Sequence, residues 1–314
     1  MISFGPVPSR RLGKSLGINN IVSPKVCSYG CIYCQVGNTM KKSIKREPFF
    51  KPENILKKIE QHIQKLNKDN VPDYLTFVSN GEPTLDINLG KSIKLLKKIG
   101  IPIAVITNAS LIDNKSVRED LNLADWVSLK MDAGDKETWQ NINQPSPDLD
   151  FENILNGIGI FSKEFSGILC TETMLVEGIN DSVENVSSIS DFIMKLNPLK
   201  AYLSIPIRPP AHKSVKPPLP EIITRAWQIF INNNINTELL TGFEGTDAGY
   251  TGNIYEDILN ITAVHPLRED SLMELLQSNN ADFQIVDSLV KQRLIKKVLY
   301  NDNKYYLREY HFQI

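Results

Sequence analysis

The stretch PENILKKIEQHIQKLNKDNVPDYLTFVS (residues 52–79) sets the pattern that the rest of the chain repeats. Its first half places Ile55, Ile59, Ile63 and Leu66 on one face at helical spacing, with Pro52 at the start, where a missing N–H is harmless. Its last six residues are a short apolar run of strand character. Similar runs stand at 17–22, 74–79, 103–107, 126–131, 168–176 and 201–207. Helical patterns near 52–67, 89–99, 114–121, 151–165, 183–196 and 221–233 lie between and after them. Strands that alternate with helices pair in parallel through right-handed crossovers. Six such units predict an α/β chain with a partial (β/α)6 TIM-like barrel.

The rhythm changes near residue 250. YEDILNITAVHPL, REDSLMELLQSNN and DFQIVDSLVKQ read as three short helices, and RLIKKVLYNDNKYYLRE as two strands joined by a turn at NDN. This is the order of a winged helix, with Leu272, Leu275, Leu276, Ile285, Leu289 and Val290 as its expected core. The predicted division is a barrel over 1–250 and a winged-helix domain over 253–314, separated by the loop GYTGN. IRPPAHKSVKPPLP (207–220) reads as a proline-rich loop.

A chain of 314 residues with 41% hydrophobic and 23% charged content is ordinary for a globular protein with a large core. The opening MISFGPVPSRRLG has no apolar signal region, and no run approaches the ~18 apolar residues of a membrane span, so a cytoplasmic protein without membrane contact is expected. Charge is unevenly spread. Residues 1–60 hold eleven Lys and Arg against three Glu, and residues 291–314 hold six against two acids. Both ends would offer positive surface to a polyanion such as RNA, or else are solvated basic loops.

Three of the four cysteines fall within CSYGCIYCQ (27–35) as Cys27, Cys31 and Cys34, with Cys170 far away. An odd, clustered set is not a disulfide framework and reads as metal-binding or catalytic. A closed zinc site needs a fourth Cys or His, and none stands nearby. An iron–sulfur cluster takes thiolates, and three ligands on four irons leave one iron open for a reactant.

The C-x3-C-x2-C spacing, with Tyr33 before the last Cys, resembles the signature of the radical S-adenosylmethionine (SAM) superfamily. The resemblance covers roughly residues 10–250. It implies that Cys27, Cys31 and Cys34 ligate a [4Fe-4S] cluster, that SAM chelates its open iron, and that electron transfer releases a hydrogen-abstracting 5′-deoxyadenosyl radical. NGEPTL (80–85) resembles the family's Gly-Gly-Glu-Pro segment, implying SAM contacts at Gly81, Glu82 and Pro83, with Asn80 replacing the first Gly. TNAS (107–110) is similar to the family's segment after the third strand, which makes Asn108 a candidate for the SAM carboxylate or ribose, or a turn residue. In SLKMDAG, Ser128, Lys130 and Asp132 alternate and would share one face, Ser128 toward SAM and the Lys130–Asp132 couple as catalytic or as a structural ion pair. Glu172 resembles a ribose-binding position. Cys170 reads as a buried small hydrophobe rather than a thiol catalyst. Arg208 would hold a carboxylate or phosphate, or a surface ion pair, and Arg10 and Arg11 would face substrate or solvent.

Within the superfamily the wording is loosely similar to the wyosine-base synthase-related group, although Cys170 alone cannot build the second cluster those synthases need. The implied partners are an electron donor such as flavodoxin or ferredoxin and a macromolecular substrate, RNA favoured over protein. The alternatives are peptide or protein modification, including glycyl-radical activation, and a zinc-stabilised winged-helix nucleic-acid binder without catalysis.

Overall fold

The computed structural model describes residues 2–22, 24–66, 70–243, 245–246 and 249–309. Residue 67, the end of the first expected helix, and 310–314 of the expected C-terminal domain lie outside the described residues. The chain opens with an antiparallel hairpin, β1 (Ser3–Ser9) and β2 (Gly13–Ile18). From β2 onward each strand pairs in parallel with the next: β3 (Tyr74–Phe77), β4 (Ile103–Thr107), β5 (Trp126–Lys130), β6 (Ile168–Met174), β7 (Lys200–Ser204) and β8 (Thr237–Leu240). The crossovers carry α1 (Pro52–Ile63), α2 (Leu89–Leu96), α3 (Lys115–Leu121), α4 (Lys136–Asn143) with α5 (Phe151–Glu164), α6 (Val183–Leu196) and α7 (Pro220–Asn232). Each of α3 to α6 starts at an Asn, Asp or Ser whose side chain accepts an N–H of the first turn.

Strand alternation sorts the sheet into two faces. Leu75, Phe77, Val105, Val127, Leu129, Leu169 and Leu203 point outward into the main core under the helices. Ala104, Trp126, Cys170 and Tyr202 point the other way and gather with Leu12 and Leu240 into an inner plug. Leu12 and Leu240 come from opposite ends of the sheet, so their meeting shows that it curls into a partial barrel. The six expected strand–helix units are present. The further parallel strand β8 and the proline-containing edge strand β1 were not expected. Cys170 is buried in the plug, where burial pushes its thiol up to about 11, consistent with a small core residue.

After residue 250 come α8 (Ile254–Thr262), β9 (Leu267–Arg268), α9 (Glu269–Ser278), α10 (Gln284–Lys291), β10 (Ile295–Tyr300) and β11 (Asn303–Arg308). The three strands form an antiparallel sheet in the order β9-β11-β10. Asn301 and Asp302 both take positive φ in the two-residue turn, the geometry such hairpins require. Ile258, Ile261, Leu272, Leu275, Leu276, Val286, Leu289, Ile295 and Tyr306 make a separate core, joined by Phe4 of β1. Val290, expected inside, is 37% exposed, and Val286 takes its place one turn earlier. The basic C-terminal end expected from the sequence is partly neutralised: Lys297 and Lys304 of the ribbon lie 3.8 and 3.0 Å from Glu269 of α9.

Candidate active site

Beyond β2 the chain runs to Val26–Cys27, which pairs in parallel with Lys41–Lys42. The cysteine loop then turns on itself, Cys34 N donating to Cys31 O at 3.1 Å and Gly37 N to Cys34 O at 3.1 Å. It is fastened to the end of α4: Gly30 N donates to Asn143 O at 2.9 Å and Ile32 N to Ile142 O at 3.0 Å. Trp139 Nε1 donates to the buried Tyr29 hydroxyl at 3.0 Å. The loop therefore hangs rigidly over the carboxyl ends of the parallel strands, where ligands of such sheets gather.

Each sulfur has its own N–H donor. Asn108 Nδ2 lies 3.6 Å from Cys27 Sγ, Asn143 Nδ2 3.4 Å from Cys31 Sγ, and Lys25 Nζ 3.1 Å from Cys34 Sγ. Lys25 also donates to Gly37 O at 2.7 Å. Burial pushes the Cys27 thiol up to about 12 and the Cys31 thiol up to about 11. Burial by itself would lower the Lys25 ammonium, but Cys34, Cys27 and Cys31 raise it above its ordinary value. Among the described residues no three His, Cys, Asp or Glu side chains are placed to hold a single metal ion. Three thiols that each receive an N–H donor suit an iron–sulfur cluster, whose sulfurs are commonly hydrogen-bonded.

The NGEP segment follows β3 and presses against this loop. A Cβ on Gly81 would stand 1.8 Å from Val26 O, so the two backbones touch where only glycine fits. Glu82 is buried, and its carboxylate is fully engaged by the protein. Oε1 accepts from Thr84 N (3.0 Å), Thr84 Oγ1 (2.6 Å) and Thr107 Oγ1 (2.6 Å), and Oε2 from Asn108 N (2.8 Å). Burial raises its carboxyl above the usual range against these bonds. Glu82 thus braces the end of β3 to the end of β4 and sets Asn108 beside Cys27. Pro83 opens a short 3-10 turn, Pro83–Leu85, and its carbonyl accepts from Asn20 Nδ2 at 3.0 Å.

Below the loop, β5 and β6 bring charges together. Tyr33 donates a short hydrogen bond to Asp132, which also accepts from Asn143 Nδ2 (2.9 Å) and Met174 N (2.8 Å). Lys130 Nζ lies 3.6 Å from Asp132 Oδ1, 3.2 Å from Glu172 Oε1 and 5.1 Å from the Tyr33 ring centre. Burial lowers the Lys130 ammonium, opposed by Asp132. Glu172 accepts from Ser204 Oγ at 3.1 Å and forms an ion pair with Arg11. Ser128 faces inward as expected but lies deeper, fully buried, its hydroxyl without a partner. Arg11, Tyr33, Gln35, Lys130, Glu172 and Arg208 line a cavity of about 240 Å³ at the barrel mouth. Arg10 is exposed outside it. Lys25, Gln35 and Asn143 are absent from the sequence-based expectation: each is a common polar residue whose meaning comes only from the sulfur or cavity it reaches.

No helix among the described residues is long and apolar enough to cross a membrane. The sequence profile of the radical SAM superfamily matches residues 21–187. The UPF0026 protein MJ1312 of Methanocaldococcus jannaschii is 47% identical over 98% of this chain and 96% of its own length. A probable dual-specificity RNA methyltransferase RlmN of Thermotoga sp. is 23% identical, over 52% of this chain and 49% of that protein. A radical SAM methyltransferase from Sphaerobacter thermophilus shares the fold, with TM-score 0.54 and 13% identity over 72% of this chain and 66% of that one. Motif, barrel and kinship agree: the chain belongs to the UPF0026 group of the radical SAM superfamily, enzymes whose cofactors are a [4Fe-4S] cluster and S-adenosylmethionine.

Proposed function

We propose that the chain cleaves SAM reductively and uses the resulting 5′-deoxyadenosyl radical to take a hydrogen atom from a nucleotide of RNA. The observation that carries this reading is the set of three sulfurs, each with an N–H donor, hung over a cavity built from Lys130 and Glu172. Cys27, Cys31 and Cys34 are assigned as the cluster ligands. When bound, the cluster supplies the electron that breaks a carbon–sulfur bond of SAM. Tyr33, Gly81, Glu82, Pro83, Asn108, Ser128 and Glu172 are assigned to the SAM side. Glu82 acts through its brace rather than by direct contact, and Gly81 by allowing the backbones to touch. Lys130 and Asp132 are assigned to the reacting side, with Lys130 Nζ holding a proton that faces the cavity while Asp132 fixes Tyr33 and Asn143.

An RNA substrate is supported by the basic chain ends and the named RNA methyltransferase among the relatives. Residues 1–250 are assigned as the catalytic barrel and 253–314 as a winged helix, a reading supported by three helices and a terminal two-stranded ribbon among the described residues. Flavodoxin or ferredoxin is the proposed electron donor. The test is anaerobic reconstitution with iron and sulfide, then dithionite and SAM. We expect 5′-deoxyadenosine from the wild type and none from Cys31→Ala, and a missing modified nucleoside in RNA from a deletion strain. Formation of S-adenosylhomocysteine alone, or product from the Cys31→Ala protein, would sink the radical reading.

A further inference from the structure

The cavity at the barrel mouth does not end at Glu172. A second space of about 80 Å³ adjoins it and shares Arg11, Gln35, Val78, Ile106 and Arg208 with it. Its far wall is Val264 and His265, from the turn between α8 and β9. The C-terminal unit therefore forms part of the wall of this space.

Arg208 lies just past β7 and is 9% exposed. Its Nη1 donates to Gln35 Oε1 at 3.2 Å, and its Nη2 lies 3.1 Å from His265 Nε2. A guanidinium can only donate, so His265 offers a lone pair at Nε2. Gln35 Nε2 in turn donates to Val264 O at 3.2 Å, closing a ring of Arg208, Gln35, Val264 and His265. Gln35 is the residue after Cys34. On the other side of Arg208, Tyr300 donates to Pro206 O at 2.9 Å and Tyr305 to Ile207 O at 2.8 Å. The guanidinium is thus held by Gln35 and His265 while the two tyrosines hold the main chain just before Arg208, so little side-chain freedom remains to be lost on binding.

Charge indicates what the space receives. At the larger cavity, Arg11, Lys130 and Arg208 face Glu172 and, 3.6 Å from Lys130 Nζ, Asp132, a formal excess of one positive charge. SAM has one carboxylate against an ammonium and a sulfonium, so it is itself a net cation and gains nothing from that excess. A positive recess with low-dielectric walls concentrates an anion. The anion belongs to the other reactant. Two guanidinium forks suit the several acceptor oxygens of a phosphate, and the first 60 residues carry the chain's largest basic excess.

We propose that Arg208 and Arg11 form a phosphate-binding recess for the substrate nucleotide, closed by the Val264–His265 turn. This deepens, and rests on, the RNA-directed radical reading. The test uses full-length, cluster-reconstituted, SAM-loaded protein titrated calorimetrically with uridine 5′-monophosphate, uridine and an N-acetyl-glutamyl dipeptide. Wild type is expected to bind the monophosphate at least about tenfold more tightly than uridine. Arg208→Gln should erase that preference, with uridine affinity changing less than about twofold, and Arg208→Lys should keep part of it. Should Arg208→Gln not fold, Arg11→Gln and the wild-type ratio decide. Equal affinity for monophosphate and uridine in the wild type overturns the proposal, as does an undiminished preference in Arg208→Gln. Arg208-dependent binding of the dipeptide without binding of the monophosphate overturns it in favour of a protein substrate. 5′-Deoxyadenosine formation is followed on the same wild-type sample. Its presence without phosphate preference defeats the recess alone, and its absence defeats the radical reading first.

Discussion

Replacing Gly81 by alanine should damage the cysteine loop without touching a cysteine. The added Cβ would stand 1.8 Å from Val26 O and 2.9 Å from Val26 C, whereas real Cβ atoms do not approach below 3.0 Å. The two segments must therefore part by about 1.2 Å. Neither side yields easily, because both atoms that collide belong to the main chain. Val26 is paired with Lys41, and Glu82 next to Gly81 is held at four points. Overpacking in a closed site costs about 1–3 kcal/mol, and two main-chain walls place this case at the upper end. About 3 kcal/mol in a chain of this size corresponds to a fall in Tm of roughly 4–5 °C. Since Val26 precedes Cys27, the same displacement moves the first sulfur away from Asn108, so iron and sulfide content after reconstitution should fall too. Circular dichroism melts of the metal-free protein and iron–sulfide assays of the reconstituted protein measure the two effects separately. A variant with wild-type Tm and wild-type iron content would refute the close approach of these backbones.

Helix α5 offers a paired test: a Cβ on Gly157 would meet Asp113 N at 2.6 Å, while nothing lies within 4 Å of one on Gly159. Gly157→Ala should lower Tm, and Gly159→Ala should raise stability by about 1 kcal/mol through helix propensity; shifts of the same sign would contradict the packing of α5. Lys25→Met removes a positive charge 3.1 Å from Cys34 Sγ, so the cluster's midpoint potential should become more negative in a spectroelectrochemical titration. An unchanged or higher potential would exclude Lys25 as an electrostatic partner of the cluster. His62 is buried with Nε2 2.9 Å from Gly5 O and Nδ1 2.8 Å from Ser3 Oγ, and burial lowers its pKa below the ordinary 6.5. The unfolded chain then takes up a proton before the native one does, so stability should fall as pH drops below 6.5, and level off below the native pKa. Chemical denaturation of the wild type and His62→Gln at several pH values checks this, the variant losing the slope.

The helices and parallel strands were legible because their period is written in apolar residues such as Ile55, Ile59 and Leu75, which the structure buries. What escaped had no such period. Strand β1 contains Pro6 and Pro8, tolerated because it is an edge. Helix α4, KETWQNIN, is mostly polar, and β8 is only four residues long. Of the candidate site, the cysteines were legible from spacing, Lys130 and Asp132 from strand alternation, and Glu172 from its family resemblance. The bracing use of Glu82 was not, since one of its partners, Thr107, lies 25 residues away. The ring of Gln35, Arg208 and His265 joins three distant parts of the chain and has no local signature. The basic excess of 291–314 was legible in sequence, but not that folding lays Lys297 and Lys304 beside Glu269.

Three of the fastenings between the C-terminal unit and the barrel share a chemical trait. Tyr300, Tyr305 and Gln35 donate to the carbonyls of Pro206, Ile207 and Val264, all three main-chain atoms. A peptide carbonyl is present whichever side chain its residue carries. Substitution at Ile205 or Ile207, both among the residues that line the cavity, can therefore redraw its interior while the latch survives. Such a joint lets a lineage exchange substrates by small steps, each variant still assembled around an intact cysteine loop, and it marks Ile205 and Ile207 as the first positions to randomise when selecting for altered specificity.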